Sequence, residues 1–258
     1  MTNASGEQGA AIRSYFDASA AEYVAERERQ HSFIAQRDLV LSILPERCAR
    51  VLDLGCGPAM MAGPLLERSR EVWGVDASER MIALGEARMG SHPERGRLHL
   101  RVGTAERLPF PEASFDAVVA MGVLEYVWDR ASSLAEIRRV LRPGGVVAIT
   151  VPSAVSAYHL ARRAWVAARE AAKRALGRSP SDSQRFLTRR CVPWRLDREL
   201  AAAGLARLEG RFCNFILFPL HELLPAASAE LNRRLSELGD TPFSSFLGTQ
   251  YVVSALRR

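Results

Sequence analysis

The chain has 258 residues, 48% hydrophobic and 25% charged, with a net charge of +6; that is enough to bury a full core in one large domain with an appended cap, in the balance of an ordinary globular protein. No run of about 18 unbroken apolar residues occurs, which excludes an apolar membrane-spanning helix, the nearest ("GGVVAITVPSAVSAYHLA") being interrupted by Pro152 and serines. The polar start "MTNASGEQGA" lacks the pattern of a secretory leader.

In chain order, residues 11–44 show apolar positions at helical spacing (Ile12, Tyr15, Phe16, then Phe33, Ile34, Leu41, Leu44), which predicts one or two helices. From Arg50 short aliphatic runs predict strands at 50–54, 71–76, 98–103, 115–121 and 145–151. Between them "MAGPLLERS", "SERMIALGEARM" and "SSLAEIRRVL" have a helical period, with Ser78 placed as an N-cap and "RPGG" at 142–145 as a helix stop. Strands alternating with helices predict an α/β fold, a mostly parallel sheet with helices on both faces. The alternation lapses at 153–200, where a helical insertion is expected. Residues 153–190 of it carry nine Arg or Lys against Glu170 and Asp182, so +7 of the charge lies there and the rest of the chain is near −1. A helix near 195–203 and strands at 205–218 and 248–256 follow, with a helical and loop excursion at 219–247. Cys48, Cys56, Cys191 and Cys213 have no paired metal spacing and are read as reduced thiols of a cytoplasmic protein.

The stretch "VLDLGCGPAMM" at 51–61 runs from a strand through two glycines into a helix. A dinucleotide loop wants G-x-G-x-x-G, and here the third glycine position is Met60; the Lys-Ser/Thr of a phosphate-cradling loop is absent as well. Asp53-Leu54-Gly55-Cys56-Gly57-Pro58-Ala59 instead resembles the first motif of the class I S-adenosylmethionine-dependent methyltransferases, acidic-x-G-x-G-x-G, with Ala59 for the last glycine. That ligand has no phosphate; it needs close backbone approach, which glycine permits, and a negative charge near its ammonium, which Asp53 can supply through water. Asp76, 21 residues after Gly55, is placed to accept the ribose hydroxyls.

The resemblance extends over roughly residues 12–152. "VGTAERLPFPEASFDAVVA" at 102–120 resembles the adenine-side segment and fourth strand, with Thr104 where many relatives carry Asp, and "LAEIRRVLRPGGVVAITVP" at 134–152 resembles the helix and fifth strand that follow. "SYFDASAAEY" at 14–23 resembles the helical lid, with Tyr15 and Tyr23 closing over the cofactor. The resemblance implies a Rossmann-like seven-stranded sheet, an N-terminal lid at 1–45, a cofactor-binding core at 46–152, a basic insertion or substrate cap at 153–200 after strand five, and a C-terminal part of the core at 201–258. It implies S-adenosylmethionine as cofactor, held by Tyr15, Tyr23, Asp53, Gly55, Cys56, Gly57, Asp76 and Ala77, with Met81, Thr104, Ala105, Glu106 and Met121 completing the wall.

The resemblance fixes the reaction and leaves the acceptor open. An acceptor beyond strands four and five makes His159 the first candidate for a general base by its ordinary pKa, with His221 and Glu125 behind it. "GVLEYVWD" has Tyr126 where quinone-pathway O-methyltransferases carry histidine, so no metal is expected. Like those enzymes, the chain has an amphipathic segment after strand five. Arg162, Arg163, Arg169, Lys173 and Arg174 fall on one side of a helical wheel, and Leu160, Ala161, Ala164, Trp165, Ala168, Ala172 and Leu176 on the other. Residues 154–178 are therefore either a weak contact for a membrane surface or a cap helix burying an alanine face. The expected function is O-methylation of a small, partly apolar or aromatic acceptor of lipid, quinone or secondary metabolism. Methylation of nitrogen or carbon on a small molecule, a nucleic-acid methyltransferase drawn by the basic segment, and a binding protein on the same scaffold are the alternatives; no nucleic-acid partner is expected.

Overall fold

The computed structural model describes residues 3–175, 189–215 and 241–258, with 230, 234 and 235. Two helices, α1 (Asn3–Arg29) and α2 (His31–Ile43), precede β1 (Cys48–Leu54), α3 (Ala62–Leu66), β2 (Ser69–Asp76) and α4 (Glu79–Met89). Then come β3 (Leu98–Val102), β4 (Phe115–Met121), α5 (Arg130–Val140) and β5 (Leu141–Pro152). The chain closes with α6 (Ala157–Ala175), α7 (Pro193–Ala202), β6 (Leu205–Phe215), α8 (Pro242–Leu247) and β7 (Gly248–Arg257).

The seven strands form one sheet in the order β3-β2-β1-β4-β5-β7-β6. β1 pairs in parallel with both β2 and β4, and only β7 runs antiparallel to its neighbours β5 and β6. The strand order therefore reverses between β1 and β4, and a crevice opens beyond their carboxyl ends. Alternate residues feed opposite faces, as a period of two requires. Leu52 and Leu54 of β1, Val118 of β4 and Ile149 of β5 pack under α5 and α7 through Leu134, Ile137, Leu196 and Leu200. Val51, Ala117, Val119 and Ala148 pack instead with Val40 of α2 and Leu65 of α3.

The departures from the sequence reading have local causes. β5 starts at Leu141, four residues early, because the helix stop is absorbed into the strand: Gly144 takes φ +78° and the pairing with β4 shifts register between Phe115 and Ala117. α6 is no cap helix burying its alanines, since residues 161–169 are all exposed, Trp165 by 59%. The predicted excursion at 219–247 lies mostly outside the described residues, as do 216–218 of the sixth predicted strand and 176–188 of the insertion. Among the described residues no helix is long and apolar enough to cross a membrane. The four cysteines are free and buried.

Candidate active site

The loop after β1 is shaped by its backbone. Gly55 and Gly57 have φ of +66° and +52°, and Ala59 stands in the same left-handed region at +58°, a conformation unfavourable for any residue with a Cβ. At Gly55 a side chain would also collide with Val123, so only glycine lets the chain pass there. Both Gly55 N–H and Cys56 N–H donate to the Val75 carbonyl (2.7 and 3.1 Å), which fastens the loop to β2. The buried Cys56 thiol packs over Gly74, where a side chain would meet its Sγ at 2.9 Å.

Asp76 ends β2 and turns its carboxylate back to this loop. It accepts from Gly57 N–H (2.8 Å) and Ser78 N–H (2.9 Å), leaving lone pairs on both oxygens for a further donor. Ser78 caps α4 by accepting from Met81 N–H at 3.0 Å and donates its own hydroxyl proton to Asp17 of α1. One side chain thus fixes a helix start and ties the lid to the sheet.

Two adjoining cavities, which share Gly55, Gly57 and Tyr126 among their linings, lie over the crevice, of about 540 Å³ and about 200 Å³. The outer one is walled by the loop glycines and by Asp76, Ala77 and Met81 on one side, and by Thr104, Ala105 and Glu106 on another. Tyr23 and Met121 line both cavities, while Asp53, Cys56 and Glu125 line the inner chamber. The structure therefore brings together twelve of the thirteen residues expected to hold the cofactor, and Tyr15 is the exception. Tyr15 sits on the outer flank of α1, 37% exposed, against the edge of Phe16. The face that covers the crevice is Gly9, Ile12, Arg13, Phe16, Tyr23 and Arg27, at helical spacing. Phe16 takes the place predicted for Tyr15 and meets the Tyr126 ring edge-on at 5.2 Å. Extending the helical phase back seven residues from Tyr23 picks out Phe16; aromatic identity alone did not.

Of the predicted bases, Glu125 alone lines a cavity among the described residues. It is buried, its Oε2 has no partner, and burial pushes its carboxyl up to about 7, against a smaller opposing effect of its own backbone and Arg27. His159 belongs to the first turn of α6 and lines neither cavity. Burial, then the neighbouring Arg190, pull its imidazole down to about 4. His221 lies outside the described residues. Asp53, 3% exposed, has no hydrogen-bond donor for its carboxylate among the described residues; burial and, secondarily, Asp76 push it up to about 8. A buried acid held neutral in this way invites a cation. Sequence reasoning missed the aromatic wall of Phe16 and Tyr126, the Val123 contact, and Arg27, which lines the inner chamber beside Tyr23, 5.0 Å from its ring centre.

Residues 52–149 match the family model described as "Methyltransferase domain". A ubiquinone/menaquinone biosynthesis C-methyltransferase of Geobacter sulfurreducens is 38% identical over 117 residues, 43% of this chain and 44% of that protein. A ubiquinone biosynthesis O-methyltransferase of Azorhizobium caulinodans is 29% identical over 195 residues, 74% of this chain and 72% of that one. The chain spans about half the length of the curated relatives it matches at the highest identity. Among solved structures, an S-adenosylmethionine-dependent methyltransferase of Thermotoga maritima superposes with a TM-score of 0.64 at 20% identity, over 96% of this chain and 100% of that one.

Proposed function

Residues 52–149 are a class I S-adenosylmethionine-dependent methyltransferase domain, and from that premise we propose that the chain methylates the hydroxyl of a small, partly aromatic acceptor, with Glu125 as general base. The observation that carries the reading is the division of the crevice. A glycine-walled, acid-ended cavity stands on one side of Gly55 and a buried, unpaired carboxylate on the other.

The outer wall fits the cofactor by its chemistry. Asp76 has lone pairs left for two hydroxyls and Ala105 lines the same cavity, where its backbone can read an adenine; deeper, in the inner chamber, the unpaired Asp53 suits an ammonium. When bound, S-adenosylmethionine supplies a methyl group activated by its sulfonium. The chain positions and excludes water: Phe16 and Tyr126 close over the crevice from α1 and from the segment after β4. Glu125, near neutrality in its pKa, takes the proton from an acceptor hydroxyl placed in the inner chamber. His159, held near 4 and outside both linings, is a poor base at neutral pH. Along α6, exposed Trp165 and Val166 beside Arg169 and Arg174 support a weak, salt-sensitive contact with an anionic membrane surface, as proposed for 154–178.

Transfer of labelled methyl to a panel of phenols, with the product identified by mass spectrometry, tests the reaction and separates oxygen from carbon methylation. The rate rises with pH through about 7 as Glu125 ionises. Glu125→Gln lowers turnover by about 10²–10⁴, loses that limb, and leaves affinity for the demethylated cofactor within a few-fold. A Glu125→Gln enzyme with wild-type turnover and pH profile overturns the assignment of the base.

A further inference from the structure

Beyond β5 and β7 lies a group of polar atoms that the cofactor site does not use. Ser153 and Ser156 are both 0% exposed, and neither hydroxyl has a hydrogen-bond partner. Ser156 immediately precedes α6, where a hydroxyl ordinarily caps the free N–H groups of the first turn, yet it caps nothing. His159, one turn on, packs against the Thr249 backbone, and neither of its buried ring nitrogens meets a partner in hydrogen-bonding geometry. Such atoms are rare in folded proteins, because each loses its water without compensation. Four of them at one helix start is a site built for something.

The surroundings say what. Arg190 is half-buried beside this group; burial and then the charges of Arg163 and Arg162 hold its guanidinium below its ordinary range. Among the described residues no carboxylate pairs with Arg162, Arg163 or Arg190. The backbone fixes the position. Arg189 N–H donates to the Glu125 carbonyl (3.1 Å), Cys191 N–H to the Pro152 carbonyl (2.8 Å), and Ala154 N–H to the Cys191 carbonyl (2.8 Å). Arg190 is therefore strung between Glu125 and Pro152, two walls of the inner chamber. A helix N-terminus, orphaned hydroxyls and unpaired guanidinium groups all favour negative oxygen.

We propose that this cluster of Ser153, Ser156, Arg162, Arg163 and Arg190 binds an anionic group, a carboxylate or phosphate, carried by the acceptor at the end away from the hydroxyl that Glu125 deprotonates. The inference rests on the methyltransferase reading for the word acceptor, and on the cluster itself for the anion. It makes the substrate an amphiphile or ring that bears an acid at one end and a hydroxyl at the other. The arginines hold the acid, and the hydroxyl enters the inner chamber.

Binding is measured with the whole chain by calorimetry, using inorganic phosphate and benzoate as soluble probes, phosphatidylglycerol vesicles as the surface probe, and S-adenosylhomocysteine as a separate control. The expected result is saturable binding of a soluble anion that Arg190→Ala weakens about tenfold or more. Arg162→Ala, at an exposed position that does not threaten folding, weakens it by a smaller factor, and the control ligand binds all three proteins alike. Soluble-anion binding that is unchanged in both variants shows an adventitious ion only and overturns the proposal. So does binding confined to the vesicles, which assigns the arginines to a surface contact. Loss of S-adenosylhomocysteine binding with anion binding intact overturns the cofactor reading and leaves the anion site standing.

Discussion

The two sides of the crevice differ in how their polar groups are satisfied. On the β2 side the two anchoring groups have local partners: Asp76 takes Gly57 and Ser78, and Ser78 takes Met81 and Asp17. On the β5 side Glu125 Oε2, Ser153 Oγ, Ser156 Oγ and both His159 nitrogens have none. The first arrangement is fixed before a ligand arrives and presents preformed backbone, with lone pairs on Asp76 left for the ligand. The second leaves its desolvation uncompensated, so it gains most from a ligand that supplies the missing partners. A cofactor shared by many enzymes suits a rigid, preformed wall, and an acceptor specific to one suits the unsatisfied side.

Breaking the rigid side has the largest expected effect. Gly55→Ala forces a left-handed conformation worth about 1–2 kcal/mol and drives a methyl into Val123. Affinity for S-adenosylhomocysteine should fall about 100-fold and the melting temperature with it. Adding Val123→Ala should recover the clash but not the backbone strain, so rescue is partial. Full rescue, measured by calorimetry and thermal denaturation, would place the whole effect in packing.

Asp53→Asn sharpens the comparison through pH. The folded carboxyl is raised from 3.8 to about 8, so the folded state holds a proton that the unfolded state has released. Stability is then lost progressively as pH rises from about 4 to about 8. The asparagine variant escapes this loss: without cofactor its stability relative to wild type should be greater at pH 9 than at pH 5, while it binds the cofactor more weakly. Urea denaturation at the two pH values checks this, and a gain independent of pH contradicts it.

The smallest effects test the contrast between the two serines. Ser78→Ala removes an N-cap and a lid tether and should cost about 1 kcal/mol. Ser156→Ala removes an unpaired buried hydroxyl and should be neutral or stabilising in the ligand-free chain. Equal losses in chemical denaturation would mean that the two sides are not differently satisfied.

How much of this was legible follows the same division. The loop from Asp53 to Ala59 and the acid at Asp76 were readable because their chemistry is in the backbone, and glycine, small-residue and strand-end positions are written into the sequence. The sheet was readable because aliphatic runs alternate with helical periods, and its seven strands, mostly parallel, came with the resemblance; that β7 runs antiparallel was not read from the sequence. Tyr15 was chosen over Phe16 because composition does not give the rotation of a helix about its axis, which is set by packing on Tyr126, 110 residues away. His159 was ranked above Glu125 because ordinary pKa values precede burial. Glu125 becomes a base only when the chain folds over it and removes its water, and no local signal in "GVLEYVWD" states that.

The central claim is that the wall of Gly55, Gly57 and Asp76 binds S-adenosylmethionine. Titration calorimetry with S-adenosylhomocysteine on the wild type and Asp76→Ala tests it directly. One site per chain in the wild type, weakened about tenfold or more by loss of the ribose contact, is the predicted result. No heat with this ligand from either protein, together with clear binding of a nicotinamide dinucleotide, would contradict it.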